Sequence, residues 1–347
     1  MVFMNFNDLD NYFKNNKFKW LVTGAAGFIG SNITEKLLEF GQEVIAIDNF
    51  ATGYKKNIDI LKNKFTNQEV EFLFKEIDVV DYEACSEITK GVDFVLHQAA
   101  IGSVPRSIKE PIYSNLNNVN GFLNIIETSR LNSVKRIIFA SSSSVYGDNE
   151  ILPKKENNIG RQLSPYAVTK YVNEIYSEVF NYTYEMESIG LRYFNVFGPR
   201  QDPDGSYAAV IPKWIKLMID NKPIEIYGDG KTSRDFCYID NAVQANILAA
   251  LTDEISNFEE GPVFNVAVGG RISLNKLYRE IKSSLHDNGI NYDIQPVYKD
   301  FRSGDVRHSQ ADIELTKNYI KYEPKDSFES GIKKTVEWYL KNHELKD

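Results

Sequence analysis

The sequence predicts a doubly wound α/β fold, a parallel sheet with helices on both faces and a smaller, partly interleaved C-terminal lobe. Three observations carry this reading. From Phe18 onward, short β-branched and almost wholly apolar runs alternate with helical patterns, as expected of strands buried on both faces. The glycine-rich turn Gly24-Ala25-Ala26-Gly27-Phe28-Ile29-Gly30 joins the first such run to a helix. After about residue 200 the rhythm weakens, and loops rich in Gly, Pro and Asp at 198–205 and 228–230 separate shorter elements. The expected strands are 19–23, 43–47, 71–75, 94–97, 136–140 and 188–192, with helices such as 28–40 and 164–182 between them. Residues 1–17 read as an arm, 18–198 as the dinucleotide-binding domain and 199–347 as a substrate lobe, some of whose segments return to the first domain.

Composition narrows the function classes. Of 347 residues, 42% are hydrophobic and 25% charged, ordinary globular usage that excludes a disordered chain. Forty basic against 48 acidic side chains give a net charge of −8. Such a chain repels nucleic-acid backbones, so no nucleic-acid partner is expected and any phosphate site must be local. Cys85 and Cys237 form no CxxC pair; they read as buried filler in a reducing compartment, with no metal site. No apolar run reaches the ~18–20 residues of a membrane span, and the first twenty residues lack the apolar core of a leader. A cytoplasmic protein without a membrane partner is expected.

The glycine turn carries the first chemistry. Its spacing is GxxGxxG: Gly24 permits the tight turn, Gly27 lets backbone approach a pyrophosphate, and Gly30 lets the helix pack on the sheet. This is the phosphate-binding turn of a Rossmann-type sheet. The next strand ends at Asp48, 18 residues past Gly30. An acid there accepts the adenosine ribose hydroxyls and repels a 2′-phosphate, which favours NAD over NADP. Two later strand ends, at Asp78-Val79 and Gln98-Ala99-Ala100, offer polar and small residues to the same ligand. His97, on an apolar run, reads as a core histidine.

The second chemistry follows the fifth strand, which ends in Ser141-Ser142-Ser143-Ser144. Ser164-Pro165-Tyr166-Ala167-Val168-Thr169-Lys170 then starts a helix at its proline and sets Tyr166 and Lys170 on one face. A free tyrosine titrates near ~10, too high for a base at neutral pH. A nearby ammonium and a positive nicotinamide ring favour phenolate, so Lys170 is expected to pull the Tyr166 phenol down. A serine at the strand end can hold the reacting oxygen.

With glycine turn, serine run and YxxxK in order, the chain from about Trp20 onward resembles the extended short-chain dehydrogenase/reductase family. Within its nucleotide-sugar branch the likeness is to the 4-epimerases of UDP-N-acetylglucosamine. The resemblance implies Ser142, Tyr166 and Lys170 as the catalytic set. It implies Gly24, Gly27, Phe28, Ile29, Asp48, Asn49, Gly53, Asp78, Val79, Gln98, Tyr166, Lys170 and Val196 around NAD. For a UDP-sugar it implies Arg234 and Arg302 at the diphosphate, Asp305 at the uridine ribose, Arg271 near the nucleotide, and Asn195, Ser142, Ser143 and Tyr166 at the sugar.

Two features lean toward acetamido sugars: the loop Gly102-Ser103-Val104-Pro105-Arg106-Ser107, and small residues at Ala208-Ala209 and Ser309. Ser143-Ser144 replaces the Asp-Glu pair of dehydrating relatives. The expected activity is NAD-dependent C4 epimerisation of UDP-N-acetylglucosamine and UDP-N-acetylgalactosamine through a 4-keto sugar. The UDP-glucose/UDP-galactose reaction, a net nucleotide-sugar oxidoreductase and an NAD-sensing regulator stay open as alternatives. Apolar residues Tyr171, Val172, Ile175, Val179 and Tyr182 on helix 164–182, with the helix from Pro111, suggest a homodimer through a helix bundle.

Overall fold

A computed structural model describes residues 6–66, 68–204, 208–253, 262–301 and 306–342. The central sheet has seven strands, all parallel. Six arise in the first part of the chain: β1 (Lys19–Thr23), β2 (Glu43–Asp48), β3 (Phe72–Glu76), β4 (Phe94–His97), β5 (Arg136–Ser142) and β6 (Ser188–Tyr193). The seventh, Val263–Val266, comes from the C-terminal third and pairs with β6 at one edge. In space the order is Val263–Val266, β6, β5, β4, β1, β2, β3. Chain direction across the sheet reverses between β1 and β4, and the carboxyl ends on either side of that point open onto a crevice.

The expected strands form within a residue or two. β5 runs to Ser142 and β6 to Tyr193 because Ser141 pairs with Arg192 and Ser142 with Tyr193; the serine run is strand before it is turn. The fully buried Trp20 packs on Phe94 at 4.8 Å between ring centroids. The N-terminal arm contains α1 (Leu9–Asn15), whose Leu9 and Phe13 are buried, with Phe13 against Phe40 and Trp20.

Two helices position the site. α2 (Phe28–Glu39) starts at Gly27 directly after the glycine turn. The long helix Pro165–Tyr184 is capped by Ser164, whose side chain accepts the Ala167 N–H at 3.1 Å, a contact worth about 1 kcal/mol. Its first residue is Pro165, whose fixed φ suits that position. Helix Ile239–Leu251 is buried along most of its length. Burial on every face removes the amphipathic period by which a helix is read from sequence. Cys85 and Cys237 are free and buried. No helix among the described residues is long and apolar enough to cross a membrane.

Candidate active site

A cleft of about 800 Å³ runs along the carboxyl ends of β1, β2, β4 and β5. At one end its wall is backbone. Gly24 has φ +66°, and a Cβ there would lie 2.7 Å from the Ala99 nitrogen. At Gly30 a Cβ would lie 2.2 Å from the Gly24 carbonyl oxygen, so only glycine lets α2 start this close to the turn. Gly27, Phe28, Ile29, Asp48, Asn49, Val79 and Gln98 line the same cleft. At Gly53 a Cβ would sit 2.8 Å from that of Ala26.

The polar groups of this end are held in place. The Asp48 carboxylate accepts the N–H groups of Ala26 at 2.9 Å and Phe50 at 2.7 Å. Burial pushes its carboxyl above the usual range, and these backbone donors oppose the shift. Asp78 does not line the cleft; its carboxylate accepts the Asn49 amide at 2.9 Å and the Val80 N–H at 2.9 Å, so it orients Asn49. Gln98 donates to Asn246 and accepts from the Tyr193 hydroxyl, both at 3.0 Å, while Asn246 donates to that hydroxyl at 2.7 Å. His97 shares a hydrogen bond with Thr23 at 2.8 Å, and burial pushes it down to about 3, so it is a neutral core residue.

Tyr166 and Lys170, one helical turn apart, face the cleft together. The Tyr166 phenol pairs with the Ser142 hydroxyl, which also accepts from the Ser144 N–H at 3.1 Å and the Ser144 hydroxyl at 2.9 Å. Lys170 donates to the Ala140 carbonyl at 2.7 Å and lies 5.9 Å from the centre of the Tyr166 ring. The four serines divide their tasks. Ser141 donates to Glu174 at 2.5 Å, and Glu174 holds Arg192 through two bonds of 2.9 and 2.8 Å. Ser142 faces the tyrosine, and Ser143 opens the turn Ser143–Tyr146.

The electrostatics correct one expectation. Burial pushes the Tyr166 phenol up, and the Ser142 hydrogen bond opposes it only in part. Burial likewise pushes Lys170 down to about 8, with Glu174 opposing. The lysine does not lower the phenol in the protein alone.

The other end of the cleft is made from the C-terminal lobe and two loops. Ala208, Ala209, Ser103 and Arg106 line it. Ser103, at φ +98°, caps the helix Val104–Lys109. Asn195, at φ +38°, donates its amide to the Asp235 carbonyl at 3.0 Å, and Val196 pairs with Cys237; neither is on the cleft wall. Arg234 donates to the Ser233 carbonyl at 3.0 Å, and Ser309 donates its N–H to that same carbonyl at 3.1 Å. His308, bonded to the Ser233 hydroxyl at 2.8 Å, is pushed down by burial and then by Arg271, Arg307 and Arg234, which marks a local cluster of positive charge. This cluster and Ser309 stand off the 800 Å³ cleft. Arg302 and Asp305 lie outside the described residues. Arg307, two residues after Asp305, has no motif or spacing to single it out in the sequence, and its charge is the available signal. Tyr54, Arg106 and Tyr193 carried no spacing signal, yet all three line the cleft.

These features match a known family. The model of the NAD dependent epimerase/dehydratase family matches residues 20–267. A putative UDP-glucose 4-epimerase of Methanocaldococcus jannaschii is 37% identical over 93% of this chain and 99% of its own. A UDP-glucuronate 4-epimerase of Thermodesulfobacterium geofontis is 34% identical over 94% of this chain and 97% of its own. Among solved structures, the UDP-N-acetylglucosamine 4-epimerase of Methanobrevibacter ruminantium, in complex with UDP-N-acetylmuramic acid, superimposes with a TM-score of 0.85 at 38% identity, covering 94% of this chain and 99% of that one. The chain belongs to the NAD dependent epimerase/dehydratase family, within the extended short-chain dehydrogenase/reductases. It is an enzyme of the epimerase class, and NAD is its cofactor. The glycine turn, where an added Cβ would strike neighbouring backbone and so no side chain stands, fits that cofactor.

Proposed function

We propose that this chain inverts C4 of a UDP-linked hexose through a 4-keto sugar, with UDP-N-acetylglucosamine and UDP-N-acetylgalactosamine as its preferred pair. The observation that carries the reading is the Tyr166 phenol paired with Ser142 beside Lys170, facing the cleft that the glycine cradle opens. NAD bound in that cradle supplies reversible hydride acceptance at C4. Tyr166 takes the proton of the 4-hydroxyl and later returns it, and Ser142 holds the same oxygen. Lys170 supplies the charge that favours phenolate once the site is filled and water is excluded. Asp48, Asn49, Gly53, Val79 and Gln98 hold the adenosine end, with Asp78 acting through Asn49.

The diphosphate is assigned to Arg234 and Arg302, a place near the nucleotide to Arg271, the uridine ribose to Asp305, and the sugar to Ser103, Ser143 and Asn195. Arg271, Arg307 and Arg234 all act on His308, and although Asp229 pairs with Arg307 at 2.7 Å and opposes them, Arg271 and Arg234 support an anion site in an otherwise acidic protein. Ala209 and Ser309 are assigned as the small residues that leave room for an acetamido group. Incubation with UDP-glucose, UDP-galactose and their two N-acetyl counterparts, followed by separation of C4 epimers, tests the reading. Faster turnover of the acetamido pair is expected, and a preference for UDP-glucose would remove the acetamido part alone. Net accumulation of NADH would instead favour the oxidoreductase alternative.

We also propose that it acts as a cytoplasmic homodimer. Ile112 is 84% and Tyr182 90% exposed, and Ile175 and Val179 are about half exposed on the same long helix. Helix Pro111–Asn115 packs beside that helix, so a second copy laid across both would cover one apolar face. Sedimentation at micromolar concentration should give twice the 39.7 kDa chain mass; a monomer would rule the dimer out.

A further inference from the structure

Residues 199–204 cross the mouth of the cofactor cleft, and Gln201, Asp202 and Asp204 line it opposite Ala51, Thr52 and Tyr54. Every part of this segment is tied down. Its base is held to α2, where Asn32 donates to the Pro199 carbonyl at 3.2 Å and Glu35 pairs with Arg200. Its middle accepts from the Tyr339 hydroxyl at the Gln201 carbonyl, and its far end pairs Asp204 with Lys216. The outermost tie spans the cleft: the Tyr54 hydroxyl donates to the Asp202 carboxylate at 2.5 Å.

We propose that residues 199–204 are a strap across the cofactor cleft, that the Tyr54–Asp202 hydrogen bond fastens it to the opposite lip, and that this fastening sets how slowly NAD leaves. The inference rests on the cleft holding NAD.

Three features support it. Tyr54 comes from the loop after β2, and Asp202 from beyond β6, so the bond joins segments that have to part for a dinucleotide to pass. Tyr54 is 40% exposed, so this tie is open to water. Burial and the neighbouring Asp202 push the Tyr54 phenol up to about 12, so it remains a donor at working pH. The held-down position also carries a cost. Arg200 sits at φ +67°, and its Nε and Nη1 are buried without a hydrogen-bond partner among the described residues, as is Gln201 Oε1. Such groups favour a strap that can lift, so its fastenings decide how long it stays down. An epimerase regenerates NAD in each cycle and gains nothing by releasing it. A fastened strap suits that chemistry.

The test is a release measurement on the whole enzyme. Protein loaded with radiolabelled NAD is chased with excess unlabelled NAD, and retained label is followed over time. Tyr54→Phe keeps the ring and removes the donor, whereas Asp202→Asn keeps the shape and removes the charge. Each should speed release by about 5–30-fold, as loss of one charge-assisted hydrogen bond implies. The double variant should release no faster than the faster single, because both substitutions act on the same bond. Unchanged release in the two singles, or effects that multiply in the double, overturns the strap and leaves the cofactor assignment standing. Wild-type protein that takes up no NAD overturns both.

Discussion

At the Gly24–Gly30 turn the cleft presents backbone, on a path where an added Cβ would strike the Gly24 carbonyl or the Ala99 nitrogen. Around His308 the molecule presents side chains, with Arg234, Arg271 and Arg307 brought from three segments of the C-terminal lobe. The two regions meet different demands. A cofactor that is regenerated in each cycle suits a surface shaped by chain path, which a single side chain cannot retune. In the proposed reaction the sugar turns over during catalysis, and long charged side chains would suit a grip on its nucleotide meanwhile. Specificity can then drift in the second region while the first stays fixed. Relatives at 34–38% identity that are described for glucose, glucuronate and N-acetylglucosamine are what such a division would produce.

The comparison is broken most sharply at Tyr166, which lines the same cleft as the glycine turn. Tyr166→Phe keeps the packing of the ring and removes the proton acceptor. Turnover should fall by roughly 10²–10⁴-fold, while UDP-sugar affinity, measured by calorimetry, stays within a few-fold. A loss of affinity matching the loss of rate would mean that Tyr166 grips the ground state as much as it acts in the transition state.

Arg234 sharpens it from the other side. An arginine on a diphosphate contributes mainly uniform binding, present before and during the reaction. Arg234→Ala should therefore raise KM by roughly 10–100-fold, the range of a charge-assisted hydrogen bond, with kcat nearly unchanged. If kcat falls and KM does not, the arginine cluster belongs to the reacting end and the division proposed here fails.

The same contrast explains what could be read from the sequence. Gly24, Gly27, Gly30 and Asp48 were legible because backbone geometry imposes a residue type at a fixed spacing. Tyr166 and Lys170 were legible because one helical turn puts them on one face. The strand Val263–Val266 and the helix Ile239–Leu251 were not, since a four-residue buried strand and a helix buried on most sides lack a distinguishing period. Tyr54, bonded to Asp202, and the Glu174–Arg192 pair act through contacts between distant segments, which leave no local trace. The position of Tyr166 was readable, but its protonation was not. That balance depends on how deeply the fold buries the phenol, a property of packing rather than of neighbours in sequence.

The smallest effect concerns the polar seam where β6 meets the strand from the C-terminal third. Glu156 accepts the Asn265 N–H at 2.9 Å, and the Asn265 carbonyl of the side chain accepts from Tyr146 at 2.6 Å. Arg192, over the Tyr146 ring at 4.9 Å, donates to the Glu156 backbone carbonyl at 2.7 Å. Burial pushes the Glu156 carboxyl up to about 7, and the Asn265 hydrogen bond and the Arg192 charge oppose that shift only in part. A carboxyl raised on folding stabilises the fold below its unfolded value near ~4.3, and that contribution is lost as pH rises through the folded value. Glu156→Gln keeps an acceptor for Asn265 and removes the ionisation. At about pH 3.5, below the unfolded value, the variant and the wild type should melt alike. At pH 8 the variant should be more stable by about 1–3 kcal/mol, the size a shift of this order implies, readable as a higher Tm or urea midpoint. An equal offset at both pH values would show that the gain is not electrostatic. A less stable variant at pH 8 would show that the carboxylate is held charged by Arg192, which would make the seam an ion-pair junction instead of a neutral hydrogen-bonded one.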